Sequence, residues 1–115
     1  MKRRAILGLV CVVVAAVAVP AFASTPDRGL YHCYNGSAPF GDLKLKRGDK
    51  YVWNGGSPGT YAYKAASKKV IFKTGVFHKD HWYGKHSRDP SDGSSVIKLY
   101  ETGKGSLGIT CYGTR

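Results

Sequence analysis

The sequence is short of acid. Seven aspartate and glutamate residues stand against eighteen lysines and arginines, and Glu101 is the single glutamate. Catalysis by a pair of carboxylates therefore has little to draw on. Helical periodicity is missing as well. Beyond residue 23, no stretch carries apolar residues at helical spacing for three turns, which excludes a helical bundle. Gly55-Gly56-Ser57-Pro58-Gly59 matches Gly-x-Ser-x-Gly, but it reads as a Gly/Pro turn between two strand blocks with no helical pattern after it. It therefore lacks the strand-to-helix context of the serine-hydrolase nucleophile elbow. The glycines fall in turns and strand ends rather than at the start of a helix, so no phosphate-cradling loop is present. Cysteine is scarce too: Cys11, Cys33 and Cys111 are the three.

What is there begins with an export pattern. Lys2, Arg3 and Arg4 precede an apolar run over residues 5–19, followed by Pro20 and by Ala21 and Ala23 around Phe22. A positive end, an apolar segment and an Ala-x-Ala site make a secretory signal over 1–23, cleaved after Ala23. The run is shorter than the roughly 20 residues that a membrane span needs. No stable membrane anchor is then expected after cleavage. Residues 24–115 form one small domain, secreted to an extracellular or periplasmic space.

Removing the leader takes three of the eighteen basic residues with it, so the domain keeps fifteen against seven acids. It also removes Cys11. The remaining pair, Cys33 and Cys111, lies near the two ends of the domain, and in an oxidising compartment such a pair forms a disulfide.

Short blocks of alternating apolar and polar residues run through the domain, divided by Gly, Pro, Asp and Ser. Leu43 and Leu45 alternate with Lys44 and Lys46; Tyr51 and Trp53 share a face; Ile97 and Leu99 flank Lys98; Leu107, Ile109 and Cys111 line another. Period two marks half-buried strands. Eight are expected, at 29–35, 42–46, 50–54, 60–64, 69–73, 81–87, 95–101 and 106–112. The fold class is all-β, an antiparallel meander forming a barrel or a curled sheet. A bridge between the first and last strands favours closure, because in an open meander those strands are the far edges. A sandwich remains the alternative.

The segment 77–88 is the most unusual. It holds His78, His81 and His86, three of the four histidines, with Lys79, Lys85, Arg88, Trp82 and Tyr83. The three imidazoles with Asp80 could be read as zinc ligands, but they lack the tight paired spacing of structural zinc sites. No metal or cofactor is expected. The segment reads as a polar surface connection, so His81→Ala and Trp82→Ala are expected to leave folding nearly intact.

Lys64, Lys68, Lys69 and Lys73 lead into this segment. Cations interleaved with aromatics can pair with an anionic chain while the rings stack on its bases or sugars. The candidate binding residues are therefore Lys64, Lys68, Lys69, Lys73, His78, Lys79, His81, Trp82, Tyr83, Lys85, His86 and Arg88. The expected function is non-enzymatic binding by a monomer. The expected partner is an anionic cell-surface or extracellular polymer, or an acidic protein surface such as an enzyme that it inhibits. A hydrolase of the guanyl-specific ribonuclease type is one alternative, but the glutamate base and leading helix of those enzymes are missing. A basic antagonistic toxin is another.

Tyr31-His32-Cys33 and Thr110-Cys111 frame the domain, and Ser57-Pro58-Gly59-Thr60-Tyr61 lies between them. This arrangement resembles the small secreted bacterial barrels typified by periplasmic inhibitors of C-type lysozyme, which open on Tyr-x-Cys, close on a cysteine strand and carry a Ser-Gly-x-x-Tyr loop. The resemblance implies a barrel and a protein-binding edge at residues 57–61. Pro58 is an insertion relative to that loop, and so basic a chain would repel an equally basic lysozyme.

Overall fold

Alternation within each block builds the architecture. In a computed structural model that describes residues 25–114, the strands are β1 (Gly29–Asn35), β2 (Ala38–Lys46), β3 (Lys50–Trp53), β4 (Gly59–Lys64), β5 (Lys69–Phe72), β6 (Trp82–Arg88), β7 (Ser95–Glu101) and β8 (Gly105–Gly113). Each pairs antiparallel with the next, and β8 returns to β1, so the meander closes into an eight-stranded barrel. The export signal expected over 1–23 lies outside the described residues.

The seam between β1 and β8 runs from Tyr31 opposite Gly113 to Asn35 opposite Ile109. Cys33 faces Cys111 within it, and the two are joined by a disulfide with their Cα atoms 3.8 Å apart. Closure, rather than a sandwich, is thus the architecture.

An eight-stranded barrel is just wide enough for side chains to fill it. Tyr31, Cys33, Leu43, Leu45, Tyr51, Tyr61, Val70, Phe72, Ile97, Leu99, Ile109 and Cys111 point inward and are buried. Each fully buried large side chain contributes roughly 1.5–3 kcal/mol from area removed from water. The interior is a packed core.

β2 starts at Ala38, four residues before its expected start. The register skips between Cys33–Gly41 and Tyr34–Pro39, so Phe40 is the extra residue of a bulge. That bulge breaks the alternation of the block and hides its beginning. It also throws Phe40 over the barrel mouth, where its ring lies 5.7 Å from Trp53 and 6.5 Å from Trp82.

The mouth formed by the β1–β2, β3–β4, β5–β6 and β7–β8 connections is plugged by a single helical turn, α1 (Val76–Lys79). Phe77 drops from α1 into the barrel, stacked on Tyr51 at 5.4 Å and edge-on to Phe72 at 4.8 Å. Tyr51 also fixes the turn by hydrogen bonding. Its hydroxyl donates to the Thr74 carbonyl (2.8 Å) and accepts from the Phe77 amide (3.0 Å). Gly75, which leads into α1, has φ +90°, and a Cβ there would sit 2.6 Å from that hydroxyl. Only glycine lets the chain pass so close.

The opposite end is held by polar groups. The Tyr31 hydroxyl donates to the Asp27 carbonyl (2.6 Å) and lies 2.7 Å from Ser95 Oγ, which in turn is 2.9 Å from His86 Nε2. Arg88 pairs with Asp27 at 3.0 Å and donates to the Thr25 carbonyl at 2.6 Å. Thr25 and Asp27, ahead of β1, are clamped here.

Candidate functional site

Two expectations about the segment 77–88 are corrected by these elements. His86 was expected in a solvated connection, yet it is 4% exposed and points into the barrel. Its Nδ1 is 3.4 Å from the Tyr63 hydroxyl, and its ring meets Tyr63 edge-on. The reason is register: β6 begins at Trp82, and period two then turns Gly84 and His86 inward. Trp82 was expected on a dispensable surface connection, but its ring lies 5.0 Å from that of Phe77 and packs on the core. Arg88 also leaves the expected binding set, because its guanidinium is occupied at the far end of the barrel.

The remaining cations sort by face. Lys64 of β4 is opposite Lys69 of β5, Lys69 is opposite Lys85 of β6, and Lys85 is opposite Lys98 of β7. Their neighbours Tyr63, Val70, Gly84, Ile97 and Leu99 turn toward the interior. The four lysines therefore form one row across the outside of four adjoining strands, spanning about 14 Å at the usual inter-strand spacing. Like charges placed directly opposite on a sheet destabilise it. Among the described residues, the outward positions of β4–β7 from Thr60 to Tyr100 carry no acid to offset them.

Lys98 was not among the residues expected to bind. Alternation with Ile97 and Leu99 showed that it faces outward, but only the strand register shows that it extends the row.

A second row runs beside the first. Ile71, Tyr83 and Tyr100 are opposite one another on β5, β6 and β7. The two tyrosine rings are stacked at 5.3 Å with an 11° angle between planes. Lys69 Nζ sits over the Tyr83 ring at 4.8 Å, and Lys85 Nζ over Tyr100 at 5.4 Å. Such contacts hold the ammonium groups in place at about 0.5–1 kcal/mol each on an exposed face.

Between this row and α1 lies an open pocket of about 430 Å³, lined by Lys69, Ile71, Phe72, His78, His81, Trp82, Tyr83, Thr102 and Gly103. His78 lies 3.1 Å through Nδ1 from the Phe72 carbonyl. A carbonyl only accepts, so Nδ1 carries the proton and Nε2 is the ring's remaining polar atom. His81 has φ +61°, which costs a side-chain-bearing residue roughly 1–2 kcal/mol. It is held there because its amide donates to the His78 carbonyl (3.1 Å) and its carbonyl accepts from the Thr102 amide (2.8 Å).

The pocket thus brings together His78, His81, Trp82, Tyr83 and Lys69 from the expected set. The structure does not bring Lys68, Lys73 or Lys79 to it. Lys68 occupies the turn between β4 and β5, Lys73 follows β5, and Lys79 lines a groove on the other flank of α1 with Trp53, Ser57, Pro58 and Val76. No group of three His, Cys, Asp or Glu side chains is placed to hold a metal among the described residues. No protein-family model, curated protein or solved structure matches the chain.

Proposed function

We propose that this is a secreted, non-enzymatic protein that binds an anionic extracellular or cell-surface polymer along the outer face of β4–β7. The row Lys64, Lys69, Lys85 and Lys98 carries this reading. Opposed ammonium groups repel one another across a sheet, whereas a polyanion lying across them neutralises all four. Cys33–Cys111 supports an oxidising location, since such bonds persist outside the cytoplasm. The domain's excess of base supports an acidic partner.

The test is salt dependence. Binding to poly-dT or dextran sulfate should weaken linearly in log–log form as salt rises. With four cations engaged, the slope for a single strand is about −2.8, and each Lys→Gln replacement in the row should reduce it by about 0.7. Affinity that ignores both salt and these replacements would refute the proposal.

A second reading is inhibition of an acidic protein at the barrel mouth. It is favoured by exposed Val76, which lines a groove with Ser57 and Pro58, and by exposed Phe40, packed on Trp53 of the same groove; residues 57–61 are the edge implied by the resemblance to lysozyme inhibitors. A partner captured through a compact aromatic patch would survive high salt. Loss of such a partner on Phe40→Ser would identify that face.

A further inference from the structure

We infer that the polymer is an acidic polysaccharide, and that the pocket between α1 and Tyr83 seats one of its carboxylated or sulfated sugar rings. This rests on the cationic face just proposed and names its substrate class.

Three observations favour sugar over nucleic acid. First, single-stranded nucleic acids are gripped by bases stacking on free aromatic faces. Tyr83 and Tyr100 are already stacked on each other, each with an ammonium over its ring. Second, the row offers one cation per strand, about 4.8 Å apart. A uronate chain offers one acid per ring, a comparable interval, so an extended chain crossing the strands meets a lysine at each ring. Third, the row leads into a pocket, because Lys69 belongs to both. Its volume of about 430 Å³ falls in the range of small-molecule sites.

The lining chemistry fits an acidic pyranose. Trp82 offers aromatic surface to the apolar C–H face of the ring. Lys69 and the imidazole of His81 can donate to its acid group, Nε2 of His78 can accept from a ring hydroxyl, and no acidic side chain lines the pocket. His81 keeps an imidazole at a left-handed backbone position where glycine would be unstrained.

The experiment measures binding of trigalacturonate, a sulfated trisaccharide, polygalacturonate and poly-dT to the wild-type protein, His81→Gly and Lys98→Gln at low salt. His81→Gly suits its backbone angle and should fold at least as well as the wild type. At least one acidic trisaccharide should bind the wild type, and carboxylate and sulfate are told apart by which. His81→Gly should weaken that binding about tenfold, the loss of one charge-assisted hydrogen bond, while leaving poly-dT unaffected. Lys98→Gln, remote from the pocket, should weaken both polymers and spare the trisaccharide. Unchanged trisaccharide affinity in a folded His81→Gly protein overturns the pocket and leaves the lysine row standing. Binding of poly-dT with no binding of either acidic trisaccharide or of polygalacturonate overturns the polysaccharide class. Failure of both polymers to bind overturns the cationic face itself.

Discussion

Reducing the Cys33–Cys111 bond tests the closure of the barrel quantitatively. The bond joins residues separated by 78 positions, nearly the whole described domain. In the chain-entropy account, cross-linking a loop of that size restricts the unfolded chain by about 4.5 kcal/mol. The native seam does not need the bond for its geometry, since β1 and β8 pair from Tyr31 to Asn35 through backbone contacts. Reduction should therefore leave the fold intact and act through the unfolded state. For a domain of this size, each kcal/mol moves Tm by about 4–8 °C, so the midpoint should fall by roughly 20–35 °C. Urea titration should also show a steeper m-value after reduction, because the released chain exposes more surface when it unfolds. The assay is circular dichroism with and without dithiothreitol, with thiols counted by mass spectrometry in each sample. Cys33→Ala with Cys111→Ala serves as a reductant-free control, with a further small loss from the space left in the core. A fully reduced protein that melts within a few degrees of the oxidised one would refute the reasoning.

Alkali should unfold the protein through its buried tyrosines. Burial pushes the Tyr31 hydroxyl up to about 12 from its ordinary 10.0, and burial raises Tyr51, Tyr61 and Tyr63 in the same direction. Below about pH 10 both states hold the Tyr31 proton and its contribution is complete. From there to about pH 12 the unfolded state releases it first, so stability falls by up to about 2–3 kcal/mol from Tyr31. Urea midpoints that stay flat across that window would contradict this. Trp82→Ala should cost about 2–3 kcal/mol by thermal melting, since its half-buried ring supports Phe77; a loss below 0.5 kcal/mol would return Trp82 to the surface. Lys98→Glu replaces repulsion of Lys85 by attraction, worth about 1 kcal/mol at low ionic strength for charges roughly 8 Å apart and less than half that at physiological salt. It should raise Tm while weakening polyanion binding, and a lowered Tm would count against the row.

Alternation alone revealed β1 and β3 to β8 to within a residue or so, because each buries one face against a filled interior. The two cysteines made closure legible, since a sulfur bridge cannot span the far edges of an open meander. Phe40 and Phe77 were not legible. A bulge and a one-turn plug have too few residues to set up a period, and the use of Phe77 as a stopper depends on the shape of the mouth. The candidate site was half legible. Lys69, Trp82, Tyr83 and the histidines stood out as a local cluster, but clustering along the chain does not separate inside from outside. One residue of register sends His86 into the core and Lys85 into the solvent. The lysine row was hidden for a related reason: its members come from four blocks and align only once the hydrogen-bonded pairs are known.

A ligand that concentrates many copies of one protein along a single molecule invites those copies to knit together. Sheets with a bare margin do this readily, because unsatisfied amides and carbonyls accept a neighbour's strand. Here β1 and β8 consume each other's margins, so among the described residues no strand offers a bare edge to a crowded neighbour. A decorated polymer should accordingly stay a reversible string of separate beads that salt can strip, instead of setting into fibres.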